Sequence, residues 1–435
     1  MTIAMPGKGI RKVTVNTSKI QEKAQAARAV YTLASALGVH FSPHVEVCLT
    51  VCVPLITFQY SSEVRSTAAQ ASASLFEALC SSADESKTEC ELTKLQQCFP
   101  VLVKTITKQI QSENGLEIEA NYALADALSE VFYSAYKRKD TYGQAVSTSL
   151  SLTDAAETVG MTVNAIADCL TRRKDIYTVL LEGGTGDDEK HECEGQLREE
   201  ETLLSPLVDS IGYTLKAWKN QFSPLFDKLV APALGPSLTN GDIRARLSAV
   251  CLFDDYVEHC GPQASATHAE KLVYGCLLGI DDQSNGGDLE LKSASIYGIS
   301  QLCRYAPSSV LAPHLESIFH QLLLVVRSST KDESESPMMY ENAVSSLASL
   351  SLYGSAPFAN AGFVKRDELL SIFLDNLPIR EDPDEAKVRS ETFSFGQPKG
   401  ARTLKNTNVM LTFFCFLALY RSVMLAFANW QKMVQ

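Results

Sequence analysis

Segments with the hydrophobic spacing of amphipathic helices recur along this chain at intervals of about 45 residues. Three of them open with an apolar residue, a basic residue and then small residues, at Val64-Arg65, Ile243-Arg244 and Leu291-Lys292. The step from 243 to 291 is 48 residues, and the step from 64 to 243 is 179 residues, close to four such steps. This pattern predicts stacked, similar helical units rather than one central core.

The same register extends in both directions along the chain. Ile20 lies 44 residues before Val64, and Met339 lies 48 residues after Leu291. A period of about 40–47 residues built from helix pairs is the signature of HEAT and armadillo repeats. We therefore expect an all-α fold, a HEAT-repeat solenoid of antiparallel helix pairs over residues 1–388. It would comprise a single helix near 16–37, about six pairs and a truncated seventh.

Prolines and polar stretches supply further markers of the register. Pro54, Pro100, Pro224 and Pro313 are expected inside first helices, where a proline bends the helix. The alternative, that they mark ordinary helix starts, suits Pro224 best. Polar stretches between the helical segments predict turns at 81–86, 235–242, 281–288 and 328–337.

An acidic segment at about 183–201 interrupts the period. It contains eight acidic residues against Lys190 and Arg198, and we expect an exposed loop between the two helices of one repeat. It would contact a basic partner, or it is a solvated linker with no partner. Its acidic residues are Asp187, Asp188, Glu189, Glu192, Glu194, Glu199, Glu200 and Glu201.

The segment 389–435 lacks the repeat pattern. Residues 409–430 are almost wholly apolar, with Arg421 in the middle. Their continuous apolar run, 409–420, has 12 residues, fewer than the roughly 20 needed to span a bilayer. This stretch could form a membrane tail anchor or a buried terminal helix. We favour a third explanation, a non-native terminus from intron read-through or a frame error, because the repeat pattern stops at Val388. The unpaired first helix suggests a piece of a longer array.

Charge and cysteine usage narrow the function classes. The net charge of −12 argues against a general nucleic-acid binder and favours basic partners. The 12 cysteines include no CxxC pair, and residues 1–30 lack the apolar region of a secretory signal, so we expect a reducing compartment. No catalytic constellation, P-loop or metal-ligand pattern is evident, and we expect neither an enzyme nor a cofactor.

Several stretches resemble one family of transport receptors. "LSAVCLFDDYVEHCGP" at 247–262, "IREDPDEAKV" at 379–388 and "VNTSKIQEKAQAARAV" at 15–30 are similar to karyopherin-β nuclear transport receptors, in the importin-5 (karyopherin-β3) branch. The segments 52–75 and 203–234 fit the same branch. The resemblance covers residues 8–388 with interruptions and corresponds to the middle and C-terminal part of family members.

This resemblance implies a function and a set of partners. Such receptors shuttle between cytoplasm and nucleus, carrying basic cargo such as ribosomal proteins or histones through the nuclear pore by contacts with Phe-Gly nucleoporins. They release cargo to the GTP form of Ran, and most of the Ran contact lies in N-terminal repeats that the resemblance does not cover. The resemblance implies neither direct nucleic-acid binding nor membrane association. A HEAT-repeat scaffold or adaptor without transport activity is the alternative.

Two sets of residues are candidates for cargo binding. Asp254, Asp255 and Glu258 are spaced to share one face of a second helix, which predicts an acidic patch on the inner wall. The alternative is that Asp254 or Asp255 forms a purely structural pair, either with Arg244 or Arg246 or with a neighbouring repeat. By the resemblance, Trp218 and Asn220 would clamp an extended peptide, unless the tryptophan simply packs at a helix end. The acidic segment at 183–201 would contact cargo or Ran.

Overall fold

The computed structural model describes most of the chain. The described residues are 2–5, 9–12, 17–86, 88–113, 117–137, 145–181, 186–282, 288–328 and 336–353, with residues 369, 372, 373, 375 and 376. The segment 389–435, including the apolar stretch 409–430, lies outside the described residues. Contacts divide the chain into two units, 1–271 and 272–435.

The described residues are helical apart from one short antiparallel hairpin near the start. The hairpin pairs β1 (Thr2–Met5) with β2 (Gly9–Lys12). The first seven helices are α1 (Thr17–Leu37), α2 (Ser42–Leu55), α3 (Ser62–Ser86), α4 (Glu89–Glu113), α5 (Ile118–Tyr136), α6 (Leu152–Leu181) and α7 (Asp187–Trp218).

A broken helical segment then leads to the remaining helices. It runs over Lys219–Phe222, Ser223–Leu225, Phe226–Val230, Ala231–Leu234 and Gly235–Leu238, with a π-helical turn at Phe226–Val230. The later helices are α8 (Ile243–His259), α9 (Pro262–Asp281), α10 (Leu289–Tyr305), α11 (Leu315–Ser328) and α12 (Pro337–Tyr353), with short turns at Ser308–Leu311 and Ala312–His314.

Helices of the first unit form consecutive pairs in two layers. The pairs are α2 with α3, α4 with α5, α6 with α7, and the broken segment with α8. Second helices α3, α5, α7 and α8 pack side by side in that order, and α1 packs against α3. The expected all-α fold of antiparallel helix pairs is confirmed, with α1 as the single first helix.

Small and aromatic residues hold the layers together. Alanine is the commonest buried residue of α3, and its small side chain lets neighbouring helices approach closely. Phe99 of α4 links the layers, with ring centroids 5.9 Å from Phe76 of α3 and 5.5 Å from Phe132 of α5. These rings are buried, and they anchor two consecutive repeats to one another.

Buried arginine–carboxylate pairs fix the order of the helices. Arg65 of α3 binds Glu113 of α4 through two nitrogens. Arg173 of α6 binds Asp242, whose side chain also caps α8 by accepting from two backbone N–H groups. Paired and hydrogen-bonded charges of this kind tolerate burial, whereas removing one partner is costly.

The unit boundary falls within α9, and in the second unit the C-terminal part of α9 packs against α10 and α11 pairs with α12. Gly279 of α9 lies so close to α10 that a Cβ there would be 2.1 Å from Oγ of Ser295. α12 packs on α10 through serines, with Ser300 and Ser349 hydroxyls 3.0 Å apart. The unit's aromatic core includes Tyr340 and Phe373.

Several sequence predictions need correction. Residues 81–86 are not a turn, since α3 continues to Ser86. Residues 187–201 are not a loop but the first half of α7, because glutamate, lysine, glutamine and arginine are strong helix formers and acidic residues suit a helix N-terminus. Pro54 and Pro100 do lie inside helices. Pro224 and Pro313 instead lie at the starts of short helical turns.

Two stretches are long and apolar enough to cross a membrane by length and composition, Thr17–Leu55 and Ser308–Ser328. The first is interrupted by a 3-10 turn at Gly38–Phe41. Core helices of soluble proteins meet the same criterion, so this finding is weak support for a membrane protein.

Candidate functional site

A groove runs between the second helices α5 and α7 and widens into a cavity of about 410 Å³. Both helices contribute residues spaced three or four apart, so that one face of each helix forms a wall. The lining residues are Tyr122, Asp126, Ser129, Glu130 and Tyr133 from α5, and Thr202, Ser205, Pro206, Asp209 and Tyr213 from α7.

The groove contains three carboxylates that form no ion pair. Asp126, Glu130 and Asp209 form no hydrogen bond or ion pair with any other described residue. Partial burial raises the pKa of Asp126. Partial burial and the neighbouring Asp126 charge raise the pKa of Glu130, although the ammonium of Lys137 partly offsets them. Partial burial also raises the pKa of Asp209, although the ammonium of Lys216 partly offsets it. A cation in the groove would relieve this repulsion.

One end of the groove is aromatic. The ring of Tyr213 lies 5.6 Å from the rings of both Tyr133 and Tyr136, measured between centroids. The ammonium of Lys137 lies 5.3 Å from the centroid of Tyr133, and that of Lys216 lies 5.8 Å from the centroid of Tyr213. Tyr133 and Tyr213 therefore each already have a lysine ammonium of the chain over the ring.

The grooves on either side of this one are occupied by lysines of the chain itself. Between α3 and α5, Nζ of Lys137 lies 2.8 Å from Oε1 of Glu77. Between α7 and α8, Nζ of Lys216 lies 3.1 Å from Oδ1 of Asp255. Within the described part of the chain, neither ammonium is within ion-pair distance of the carboxylates of the α5–α7 groove, although Lys137 lowers the pKa of Glu130 and Lys216 that of Asp209 from farther away. The central groove is therefore the one of the three without an ion pair of its own among the described residues.

Asp254 cannot contact a partner, contrary to the sequence prediction. Its side chain is turned into the protein and the residue is only 3% exposed. Consecutive helix residues are about 100° apart, so Asp254 and Asp255 lie on different faces of α8. Burial, together with the Asp255 and Glu258 charges, raises the pKa of Asp254 well above its usual value. This carboxyl is part of the interior.

Asp255 and Glu258 are half-buried and reach the surface at the α7–α8 groove. Asp255 forms the structural pair that the alternative predicted, and its partner is Lys216 of the neighbouring repeat rather than Arg244 or Arg246. Asp255, Glu258 and His259 also place their ligand atoms within 4.8 Å of one another. The Lys216 ammonium, bound to one of these carboxylates, opposes a metal cation there.

Trp218 and Asn220 end up in different elements. Trp218 is the last residue of α7 and is half-buried, whereas Asn220 is exposed in the following 3-10 turn. The Asn220 amide lies against Gly261, where a Cβ would be 2.9 Å from its Oδ1. A peptide clamp formed by the two residues stays a prediction.

The acidic half of α7 divides into structural and exposed residues. Glu200 is buried and binds Arg172 of α6 through both oxygens, and Glu201 pairs with Arg244 at 2.8 Å. These two hold helices together and are not available for a partner. Glu194 lies 3.9 Å from His191. Asp187, Asp188, Glu189, Glu192 and Glu199 are exposed.

Sequence reasoning missed the groove residues, although a signal was present. Polar residues recur every three or four positions at 122, 126, 129 and 133, and again at 202, 205, 209 and 213. Such stripes indicate faces turned to solvent. Only the packing of α5 against α7 shows that the two stripes form one groove.

The fold and the groove define an all-α HEAT-repeat protein with an acidic, tyrosine-containing second-helix face. No family model matches the chain. Among solved structures, the chain is similar to the karyopherin Kap121p bound to the SUMO protease Ulp1p, with a TM-score of 0.64, 17% identity, and coverage of 91% of this chain and 32% of that chain.

It is equally similar to Kap121p bound to Ste12p and to Kap121p bound to Nup53p, each with a TM-score of 0.64, 16% identity, and coverage of 92% of this chain and 33% of that chain. The chain thus spans about a third of the length of these karyopherins. At this level of identity the likeness establishes the fold.

Proposed function

We propose that this chain is part of a nuclear import receptor of the karyopherin-β type, in the importin-5 branch, and that it binds basic segments of cargo proteins in the α5–α7 groove. The observation that carries the proposal is the set of three unpaired carboxylates in that groove, between two grooves whose carboxylates are paired with lysines. Retaining unpaired, mutually repelling charges is unfavourable for folding, and an external cation would compensate them.

The groove can bind a lysine or arginine side chain in two parts. The aliphatic stem packs on the tyrosine faces at 133 and 213, and the charged group binds Asp126, Glu130 or Asp209. The resident lysines illustrate this mode, because each combines a carboxylate contact with a tyrosine face. Affinity should fall with salt, since exposed charges are screened over about 8 Å at physiological ionic strength.

Further partners follow from the likeness to karyopherins and are part of the proposal. Kap121p has been crystallised with Ulp1p, Ste12p and Nup53p, which supports cargo and nucleoporin partners for a receptor of this kind. On the opposite layer, Val47 and Val51 of α2 are 70% and 59% exposed, and Val101 of α4 is 51% exposed. This apolar surface suits the phenylalanines of Phe-Gly repeats. Ran regulation and shuttling through the nuclear pore belong to the same proposal.

The proposal is tested by titrating the full chain into a fluorescein-labelled, lysine-containing peptide and measuring anisotropy at low salt. The variant Asp126→Asn, Glu130→Gln, Asp209→Asn should bind about tenfold more weakly, roughly 0.5 kcal/mol per carboxylate. The matched control, Asp187→Asn, Asp188→Asn, Glu189→Gln, removes the same charge from the exposed start of α7 and should bind nearly as the wild type does.

Equal weakening in both variants would show that only the overall charge matters and would refute a groove site. Failure of the wild type to bind any basic peptide, with capture of a fixed globular subunit instead, would support the scaffold alternative.

A further inference from the structure

Lys137 and Lys216 occupy positions that an incoming basic side chain would otherwise take. Each places its ammonium on a carboxylate of the neighbouring second helix, Glu77 at 2.8 Å or Asp255 at 3.1 Å, and beside a tyrosine of the central groove. We infer that these two lysines are built-in surrogate ligands, which limit the second-helix face of α3, α5, α7 and α8 to one anchoring cation from a partner. The inference rests on the proposed function and specifies the partner: an extended segment with one dominant lysine.

The contact of Lys216 is built into the packing of α7 against α8. Gly212 lies one turn before Lys216, and a Cβ there would be 2.9 Å from Oδ2 of Asp255. Glycine therefore leaves room for the Asp255 carboxylate beside the α7 backbone, from where it reaches Nζ of Lys216, and a larger residue would displace that carboxylate. Burial alone would lower the pKa of Lys216, but the Asp255 carboxylate outweighs this effect and raises it, so the lysine stays charged.

Removing a surrogate should open a second site at a defined distance. Packed helices lie about 8–10 Å apart, so neighbouring grooves are separated by a similar distance. A polyproline II segment rises about 3.1 Å per residue and returns to the same side after three residues. Without Lys216, the Asp255 and Glu258 carboxylates should accept a second peptide lysine three residues from the anchoring lysine.

The two surrogates lie on opposite sides of the central groove. Lys216→Met should therefore favour a second lysine on one side of the anchor, and Lys137→Met should favour one on the other side. The expected gain is about twofold to fivefold, the contribution of one partly exposed ion pair. Lys104→Met is the matched control, because Lys104 of α4 also pairs with a carboxylate, Asp154 at 2.8 Å, but lies on a first helix.

The experiment uses fluorescein-labelled 13-residue alanine–serine peptides that carry one central lysine or a second lysine at −4, −3, −2, +2, +3 or +4. Anisotropy titrations compare the wild-type chain with the Lys216→Met, Lys137→Met and Lys104→Met variants. We expect the wild type to bind one-lysine and two-lysine peptides almost equally. One of the variants Lys216→Met and Lys137→Met should prefer a second lysine at +3, and the other should prefer one at −3.

Each outcome separates this inference from the proposed function. If the wild type binds none of the peptides, the proposed function fails. If the wild type binds them but Lys216→Met and Lys137→Met strengthen all peptides alike, long-range charge explains the gain and the surrogate role is refuted. The surrogate role is also refuted if the wild-type chain already binds two-lysine peptides more tightly than one-lysine peptides. Should one variant unfold, as circular dichroism would reveal, the other tests the inference independently.

Discussion

Neutralising the α5–α7 groove should stabilise the folded protein while it weakens peptide binding. The variant is Asp126→Asn, Glu130→Gln, Asp209→Asn, which replaces each carboxylate by an amide of nearly the same shape. Asp126 and Glu130 lie four residues apart on α5, and like charges at this spacing destabilise a helix by about 0.2–0.5 kcal/mol. Removing Asp209 from the opposite wall adds a comparable gain, so the total should be about 0.5–1 kcal/mol at low salt.

The gain should depend on pH with a definite sign. The pKa values of all three carboxyls are raised in the folded protein, so the folded state binds more protons than the unfolded state between the unfolded and folded pKa values. The wild type therefore regains stability as pH falls through the folded pKa values. The stability difference between variant and wild type should be largest at pH 7 and small below about pH 3, where all three carboxyls are protonated in both states.

Thermal unfolding followed by circular dichroism measures this effect. A gain of 0.5–1 kcal/mol should raise the midpoint by about 1–4 °C for a unit of this size. The gain should shrink in 1 M salt, where charges are screened over about 3 Å. Repeat arrays do not always unfold in two states, so midpoints of matched transitions are compared rather than extrapolated free energies.

The control variant Asp187→Asn, Asp188→Asn, Glu189→Gln should shift the midpoint in the opposite direction. Its three carboxylates lie in the first turn of α7, where each negative charge stabilises the helix dipole by about 0.3–1 kcal/mol. If the groove variant is instead destabilised at pH 7 and low salt, the groove carboxylates serve the fold, and the argument for an external cation is wrong.

Other substitutions probe the interior. Arg173→Ala should lower the free energy of unfolding by about 3–5 kcal/mol, measured by chemical denaturation, because it removes a buried guanidinium that joins the Asp242 carboxylate to the Leu197 carbonyl. Gly279→Ala should cost about 1–3 kcal/mol in the same assay, since the new Cβ would meet Ser295. Burial raises the pKa of Cys98 to about 12, so iodoacetamide at pH 8 should alkylate exposed Cys90 well before Cys98, as mass spectrometry of the folded chain would show.

The helix register was readable from the sequence because each repeat carries its own local signals. The predicted segment 243–260 corresponds to α8 at Ile243–His259, and its start is fixed by the capping side chain of Asp242. The predicted segment 291–306 likewise corresponds to α10 at Leu289–Tyr305. Amphipathic spacing and caps act within a few residues, so they are visible without knowledge of the neighbours.

The acidic sites were harder to predict because their roles depend on neighbouring helices. The spacing of Asp254, Asp255 and Glu258 limits them to roughly half of the helix surface, and only the packing of α8 decides which of the first two is buried. Glu200 looked like its exposed neighbours in the sequence, yet Arg172 of α6 binds it in the interior. The same dependence concealed the α5–α7 groove, whose two walls are far apart along the chain.

The carboxylates of the first unit fall into three groups according to the nearest cation. Glu113 and Glu200 are buried against arginines and hold helix pairs together. Asp255, half-buried, is paired with a lysine on the groove-lined face. Asp126 and Asp209 have no partner among the described residues, and their raised pKa values show that the fold disfavours their charge. Helix packing explains the first group, and a lysine of the neighbouring second helix explains the second. The third group is explained if a positive group from another molecule enters the groove. In that case the groove variant must become more stable and must bind the partner more weakly.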